Sequence, residues 1–188
     1  MKKVCLIFMM VTFTLLFAQT AIAPAQGNGT ADNPYQIASW QNLYWLSQNQ
    51  GEWDKHFIQT EDIDFAEASP AINTWDEGKG WRPVMEFISW DNPANVCFTG
   101  VYDGNHKDIN ALYINRPESF FIGFFGYLGD SAVVKNLSLS NVNIQGSLNQ
   151  YDGIVCAALA GASRGVIDNC HVSGNIIACN NCIGGLVG

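Results

Sequence analysis

The chain has 188 residues, 48% hydrophobic and 14% charged, which excludes a highly charged, disordered polymer. Nine Lys and Arg stand against 17 Asp and Glu, a net charge of −8, so no basic face for nucleic-acid phosphate is expected. Eighteen Gly and six Pro fit neither collagen nor a Pro-rich linker.

The first element is a leader. Lys2 and Lys3 precede an apolar run over 4–17, and Ala21-Ile22-Ala23 and Ala23-Pro24-Ala25 are small-x-small cleavage sites. The run is shorter than the roughly 20 residues of a spanning helix. A signal peptide over 1–25 is expected, with the mature chain secreted or at the cell surface. Seven basic residues then face 17 acidic ones. No later run has membrane length, so no spanning segment is expected in the mature chain.

Loss of Cys5 leaves Cys97, Cys156, Cys170, Cys179 and Cys182, an odd number in a compartment that permits disulfides. Cys179-Asn-Asn-Cys182 is a CxxC without the βαβ setting of a redox motif. Zinc at Cys156, Cys170, Cys179 and Cys182 would need spacings that match no paired knuckle. Buried thiols acting as small apolar groups are the default expectation.

A Gly/Asn/Asp/Pro turn cluster over 27–34 leads to Ser39, a helix cap. Trp40, Leu43, Tyr44 and Ser47 recur at helical spacing, predicting a helix over 40–49 ended by Gly51. Residues 56–65 read as β, with Phe57, Ile63 and Phe65 on one face. Residues 66–95 lack a clean period. They read as loops, with a strand near Trp81–Met85. All six Trp lie within 40–90.

From Phe98 the segments become short, β-branched and punctuated by Gly and Asn. FTG, IGFFG, CAALAG and IGGLVG end at Gly100, Gly126, Gly161 and Gly188. A second series runs INALYI (109–114), VKNLSL (134–139) and IDNCHV (167–172). Two frames of similar period predict repeats whose strands pair with their equivalents in the next repeat. Leu137, Leu139, Cys170 and Val172 should point inward, and Ser138 and His171 outward. Asn136 and Asn169 fall at equivalent corners, where Asn tolerates a left-handed backbone and can pair along the stack.

IGGLVG (183–188) and GVIDNCHVSGNI (165–176) resemble the GLUG-motif family of exported bacterial surface and adhesin-like proteins. That motif also occurs in non-catalytic parts of immunoglobulin-cleaving metallopeptidases. GNGTADNPYQI (27–37), WDKHFIQTEDIDF (53–65) and FTGVYDGNHKDINALYI (98–114) resemble the lead-in to such repeats. The sequence departs from the motif at Ala157-Ala158, in place of paired Gly, and at Phe124-Phe125. The resemblance implies a β-helical fold and surface display, and supplies no catalytic residue.

Other chemistry is weakly signalled. Asp62 and Asp64 share a strand face, Asp103-Gly104-Asn105 is a turn, and Asp76-Glu77 lies in a loop. None has the basic cluster a uronate-cleaving site would want. Calcium at Asp62, Asp64, Asp103 or Asn105 is chemically reasonable. His56, His106 and His171 have no metal spacing. Gly161-Ala-Ser163-Arg-Gly165 satisfies GxSxG, but joins two β segments. Exposed Trp could stack on sugar rings, with Trp45, Trp75 and Trp90 as candidates; most of the Trp should instead plug the N-terminal end.

The sequence therefore predicts a mainly β protein, a right-handed parallel β-helix or β-solenoid with an N-terminal cap containing one short α-helix. The expected divisions are a signal peptide (1–25), a cap and lead-in (26–97) and solenoid repeats (98–188). The last repeat lacks its second strand and reads as that of a fragment. The expected function is non-enzymatic surface display or adhesion, without catalytic residue, cofactor or metal. The alternatives are a carbohydrate-binding module, or the non-catalytic N-terminal part of a larger secreted hydrolase or peptidase. Partners would be extracellular polysaccharide or a surface protein.

Overall fold

A computed structural model describes residues 19–86, 96–146, 155–177 and 182–188. Residues 1–18 of the expected leader, Cys5 among them, and Trp90 and Cys179 lie outside them.

The helix α1 (Trp40–Gln48) forms where its period places it. Ser39 is extended, and its Oγ accepts from the Asn42 amide at 3.3 Å, satisfying one donor of the first turn. Leu43 and Leu46 are buried on the inner face. The helix stops before Gly51. Asn49 caps it, and its Nδ2 donates to the Trp45 carbonyl at 2.7 Å, while Gly51 lies in a following 3₁₀ turn, Gln50–Glu52. An Asn side chain that answers a last-turn carbonyl replaces the expected glycine stop.

The strands among the described residues follow in chain order. The first five are β1 (Tyr35–Ile37), β2 (His56–Gln59), β3 (Ile63–Asp64), β4 (Met85–Glu86) and β5 (Val96–Cys97). Next come β6 (Val101–Asn110), β7 (Tyr113–Asn115), β8 (Phe121–Ile122), β9 (Phe125–Leu128) and β10 (Val133–Gln145). The last are β11 (Val155–Cys156), β12 (Ala160–Ser163), β13 (Val166–Asp168), β14 (His171–Ile177) and β15 (Cys182–Ile183). The fold is mainly β, as expected. The main sheet runs β1-β2-β6-β10-β13, with β3 and β7 attached through β6 and β10, and β14 through β10. Smaller sheets join β15-β11-β8 and β12-β9. All these pairs are parallel; among the described residues β4 and β5 pair antiparallel, as does the isolated bridge from Gly80 to Ile114.

Parallel pairing between distant segments aligns like with like. Val133 lies beside Val101 on one side and Val166 on the other. Leu139 lies between Ile109 and Val172. Leu137 and Leu139 are buried, Cys170 and Val172 pack partly buried against the core, and His171 faces solvent. The inward and outward positions therefore match the alternation.

Two details of the repeat frame are corrected. The INALYI segment does not align with VKNLSL: Ile109 pairs with Leu139, not with Val134, whose partner is Tyr102. A two-residue insertion at the corner changes the offset between paired residues from 32 before it to 30 after it, and neither equals the 25 that the two strings imply. Asn105 and His106 both adopt positive φ where the next repeat needs only Asn136. Nor is Gly100 equivalent to Gly126. Val101 pairs with Val133, which sets Gly100 beside Ala132, whereas Phe125 pairs with Ala160 and places Gly126 beside Gly161. The IGFFG, CAALAG and IGGLVG frame holds, with Ala160 also bridging Val187. Ala157 and Ala158, the departures from paired Gly, are fully buried. Ala158 still bonds Phe124 N (2.9 Å) and Gly185 O (3.1 Å), so a methyl group is accommodated there.

The sheet also crosses the expected boundary at 97/98, because β1, β2 and β3 join it. The predicted β stretch 56–65 is two strands separated by a bend. Its face is buried as read: Phe57, Ile63 and Phe65 are all in the core. The strand expected near Trp81–Met85 is reduced to β4, after a bridge from Val84 to Phe125.

Candidate functional site: an arginine cleft beside the aromatic helix

Most described Trp rings fill the core. Trp81 is fully buried, stacks on Phe124 at 5.0 Å and 4°, and donates Nε1–H to the Phe124 carbonyl at 3.0 Å. Trp53 donates Nε1–H to Leu46 O at 2.8 Å. Trp75, expected as a ligand platform, is only 2% exposed. Trp40, Tyr44 and Phe65 surround its ring, and Pro70 O accepts its N–H at 2.7 Å. Both needs of an indole, apolar cover and a hydrogen-bond acceptor, are met internally, so Trp75 is a core residue. Trp45 is half-buried, edge-on to Tyr35 at 5.5 Å. Trp45 and Trp75 thus have different ring neighbours, and no shared platform joins them. Trp90 lies outside the described residues.

A different site stands at the edge of this core. The chain over Ile72–Gly78 makes 3₁₀ turns interrupted by left-handed residues, Asp76 (φ 47°) and Glu77 (φ 58°). Gly80 follows with φ 72°; a Cβ there would meet the Tyr113 carbonyl oxygen at 2.4 Å, so only glycine fits. Trp81 N donates to Tyr113 O at 2.8 Å and Asn115 N to Lys79 O at 2.9 Å, strapping the loop to β7. Arg116, next after β7, closes the loop. Its Nε donates to Trp81 O at 2.8 Å, and its Nη2 to Gly80 O at 3.1 Å. Nη2 also lies 2.7 Å from Asp76 Oδ2. The Arg116 side chain is 11% exposed and that of Asp76 52%, a pinned guanidinium beside an accessible carboxylate.

Across from this pair, α1 presents Tyr44 and Gln48, one turn apart. Tyr44 packs on Trp75 at 5.2 Å and Trp40 does so at 5.3 Å, which leaves both rings half-buried. Tyr44, Gln48, Asp76, Gly80, Arg82 and Arg116 enclose a cleft of ≈140 Å³, which Gln19 also lines. Two of the chain's three arginines meet here, although the net charge is −8. Sequence reasoning missed this pairing because it looked for cations near the acidic strand residues. The one available signal was the scarcity of Arg.

Those acidic residues hold the fold. Asp64 Oδ1 accepts from Ala66 N at 2.8 Å, and Asp62 Oδ1 from Asp108 N at 2.8 Å. Asp103 accepts from Asn105 N (2.9 Å) and Asn136 Nδ2 (3.1 Å), and pairs with Lys135 at 3.2 Å. Burial tends to raise the Asp103 pKa, but these donors outweigh it and hold it below the usual carboxylate value. Asn105, the fourth calcium candidate, donates Nδ2 to Gln59 O at 3.1 Å. Among the described residues no three His, Cys, Asp or Glu gather as a metal site. Ser163 of the GxSxG string sits on β12 and bonds Gly165 O at 3.3 Å, with strand β13 rather than a helix following. Cys97, Cys156, Cys170 and Cys182 are free thiols. Burial pushes Cys156 up to about 11.

No protein-family model matches the chain. It is 36% identical over 162 residues to "Halomucin" of Haloquadratum walsbyi, which covers 86% of this chain and 2% of that protein. It is 36% identical over 151 residues to "Putative Gly-rich membrane protein" of Evansella cellulosilytica, covering 79% of this chain and 15% of that one. The chain thus spans a small fraction of the relatives it matches. A crystal structure titled as a putative immunoglobulin A1 protease from Bacteroides ovatus aligns at TM-score 0.49 and 18% identity, over 80% of this chain and 40% of that one. No helix among the described residues is long and apolar enough to cross a membrane.

Proposed function

We propose that this chain is an exported, non-enzymatic β-solenoid segment of the GLUG-motif kind, used for cell-surface display or adhesion. In this reading a right-handed parallel β-helix rises from a lead-in over 26–97 into repeats over 98–188. The observation that carries it is the parallel register of successive segments, Val101 beside Val133 beside Val166. Such stacking buries a continuous interior with strands too short to form a core alone. Its outer surface is free for contact.

Two further observations support the reading. The matched relatives are named a mucin and a membrane protein, and are far longer than this chain. Asp62, Asp64 and Asp103, three of the carboxylates considered for catalysis or calcium, have structural hydrogen bonds, as described above. The alternative of a carbohydrate-binding module is favoured by one feature, the arginine cleft beside Tyr44.

The test is antibody labelling of intact, unpermeabilised cells, with protease treatment before lysis. Labelling that the protease removes is the expected result. Signal seen only after permeabilisation would overturn the proposal.

A further inference from the structure

We propose that the end face of the stack formed by β13, β14 and β15 docks a second copy of this chain. The inference goes beyond the surface-display reading and does not depend on it.

The first observation is the place of three strands. β13 and β14 each pair with β10, and β15 pairs with β11. Each ends its sheet, and among the described residues no strand covers its free side. The apolar columns of the interior run up to this face uncovered. Ile122 and Cys156 are 0% and 1% exposed, whereas Ile183, next in their column, is 51% exposed. Ile114 and Ile144 are fully buried, whereas Ile176 beside them is partly open. Val166 on β13 and Ile177 on β14 are also more than half exposed. Exposed apolar groups gathered on one face mark a site of association.

The second observation is charge. Residues 165–188 contain one carboxylate, Asp168, and no Lys, Arg or Pro. Sheet edges are commonly guarded by Lys, other charges or Pro. This face has one charge to guard it, on a chain of net charge −8. Two copies repel each other through their acidic sides and escape that repulsion end to end. A strongly charged partner finds little to pair with here, whereas the same near-neutral apolar face fits itself.

The third observation decides the symmetry. The opposite end of the main sheet is occupied. Pro34 directly precedes β1, and Gln36 N of that strand donates to Gln26 O at 3.0 Å. Asn42 of α1 donates its Nδ2 to Ile22 O at 2.9 Å, tying the preceding chain to the helix. A head-to-tail array therefore lacks its second surface. The open face meets its own copy about a two-fold axis, and growth stops at two. Across such an axis the facing edges run antiparallel, a pairing that satisfies their N–H and C=O groups.

The experiment is sedimentation velocity of the purified protein from low to high micromolar concentration. The variants are Ile183→Lys and Ile177→Lys on the face, with Gln50→Lys, exposed beyond α1, as the control. The replaced face residues are half exposed in a single copy, and circular dichroism at the lowest concentration checks the fold. The expected result is a concentration-dependent species of twice the chain mass. Dimerisation should weaken at least tenfold in both face variants, stay unchanged in Gln50→Lys, and not fall with added salt. One readout needs no substitution: maleimide modification of Cys182, exposed on β15, should slow as the dimer forms.

A monomer at the highest concentration, growth beyond the dimer, a dimer dissociated by salt, or one insensitive to both face variants would each overturn the proposal. So would Cys182 modification that is independent of concentration. A protein that stays monomeric alone, yet binds a peptide copy of Val133–Gln145, would assign the face to a further strand of the repeat type instead of a second copy.

Discussion

Asn169 donates its side-chain amide to Oδ1 of Asn136 at 2.9 Å, across 33 residues of sequence. Both residues hold a left-handed backbone, φ 49° and 52°. Asn136 in turn donates to Asp103 at 3.1 Å. One polar ladder therefore runs through the corners of three successive segments, at right angles to the strands. It satisfies side chains at the points where the backbone bends.

That ladder gives a graded pair of variants. Asn136→Ala loses the ladder and places a Cβ residue without polar compensation at positive φ. It should destabilise by about 3–4 kcal/mol, combining roughly 1–2 for the backbone with about 1 for each of its two hydrogen bonds. Asn136→Gly keeps the backbone freedom and should cost about 1–2 kcal/mol. Urea unfolding measures both. Equal losses would show that the backbone conformation contributes nothing.

Asp103 makes the ladder pH-sensitive. Its folded pKa is depressed below an unfolded value of about 3.9. The stabilisation is therefore fully present above that value and is lost as pH falls through the lowered folded pKa. The melting temperature should drop on acidification below about pH 4, and Asp103→Asn should flatten part of that drop. A variant with the parent's full acid dependence would contradict the assignment.

Leu139 lies between Ile109 and Val172 and is buried. Leu139→Ala should cost on the order of 2–5 kcal/mol in chemical denaturation. Ser138→Ala, on the alternate position of the same strand, should cost under about 0.5 kcal/mol. The reverse order would refute the register.

Gln59 is a fully buried amide with all roles assigned. Its Nε2 donates to Glu61 O and Asp108 O at 2.9 Å each, and its Oε1 accepts from Tyr102 OH at 3.0 Å. Gln59→Leu takes the partner from a buried phenol and from two carbonyls and should cost about 2–4 kcal/mol. The companion Tyr102→Phe in the Leu background should recover part of the loss, read from the double-mutant cycle. Full additivity would exclude the contact.

Thiol exposure offers a direct chemical check. Cys182 is exposed, whereas Cys156 is buried with its pKa pushed up to about 11. In native protein at pH 8, maleimide mapped by mass spectrometry should modify Cys182 well before Cys156. Prompt modification of Cys156 would mean the β11 region is open.

The helix, the corner asparagines and the inward leucines were legible because each depends on local spacing. Ser39 needs only its own turn, and Leu137 and Leu139 need only strand alternation. The register between segments was only partly legible. INALYI and VKNLSL share an apolar alternation that fits more than one register, and the true one is set by pairing between distant segments, Tyr102 beside Val134 and Ile109 beside Leu139. The burial of Trp75 was legible as a general tendency of the aromatic cluster but not residue by residue, since it depends on Trp40, Tyr44 and Phe65 converging from separate elements. The arginine cleft was not legible at all. Arg82 and Arg116 are 34 positions apart in sequence, and the backbone bonds from Trp81 N to Tyr113 O and from Asn115 N to Lys79 O bring them together.

Successive segments stack in parallel, and amide-to-α-proton contacts in a nuclear Overhauser spectrum of the labelled protein test that most directly. The account predicts cross-segment contacts in the columns Tyr102–Val134–Ile167 and Ile109–Leu139–Val172, offset as parallel neighbours require. Strong α-proton to α-proton contacts between those strands would reveal antiparallel pairing, and would contradict both the stack and the display function built on it.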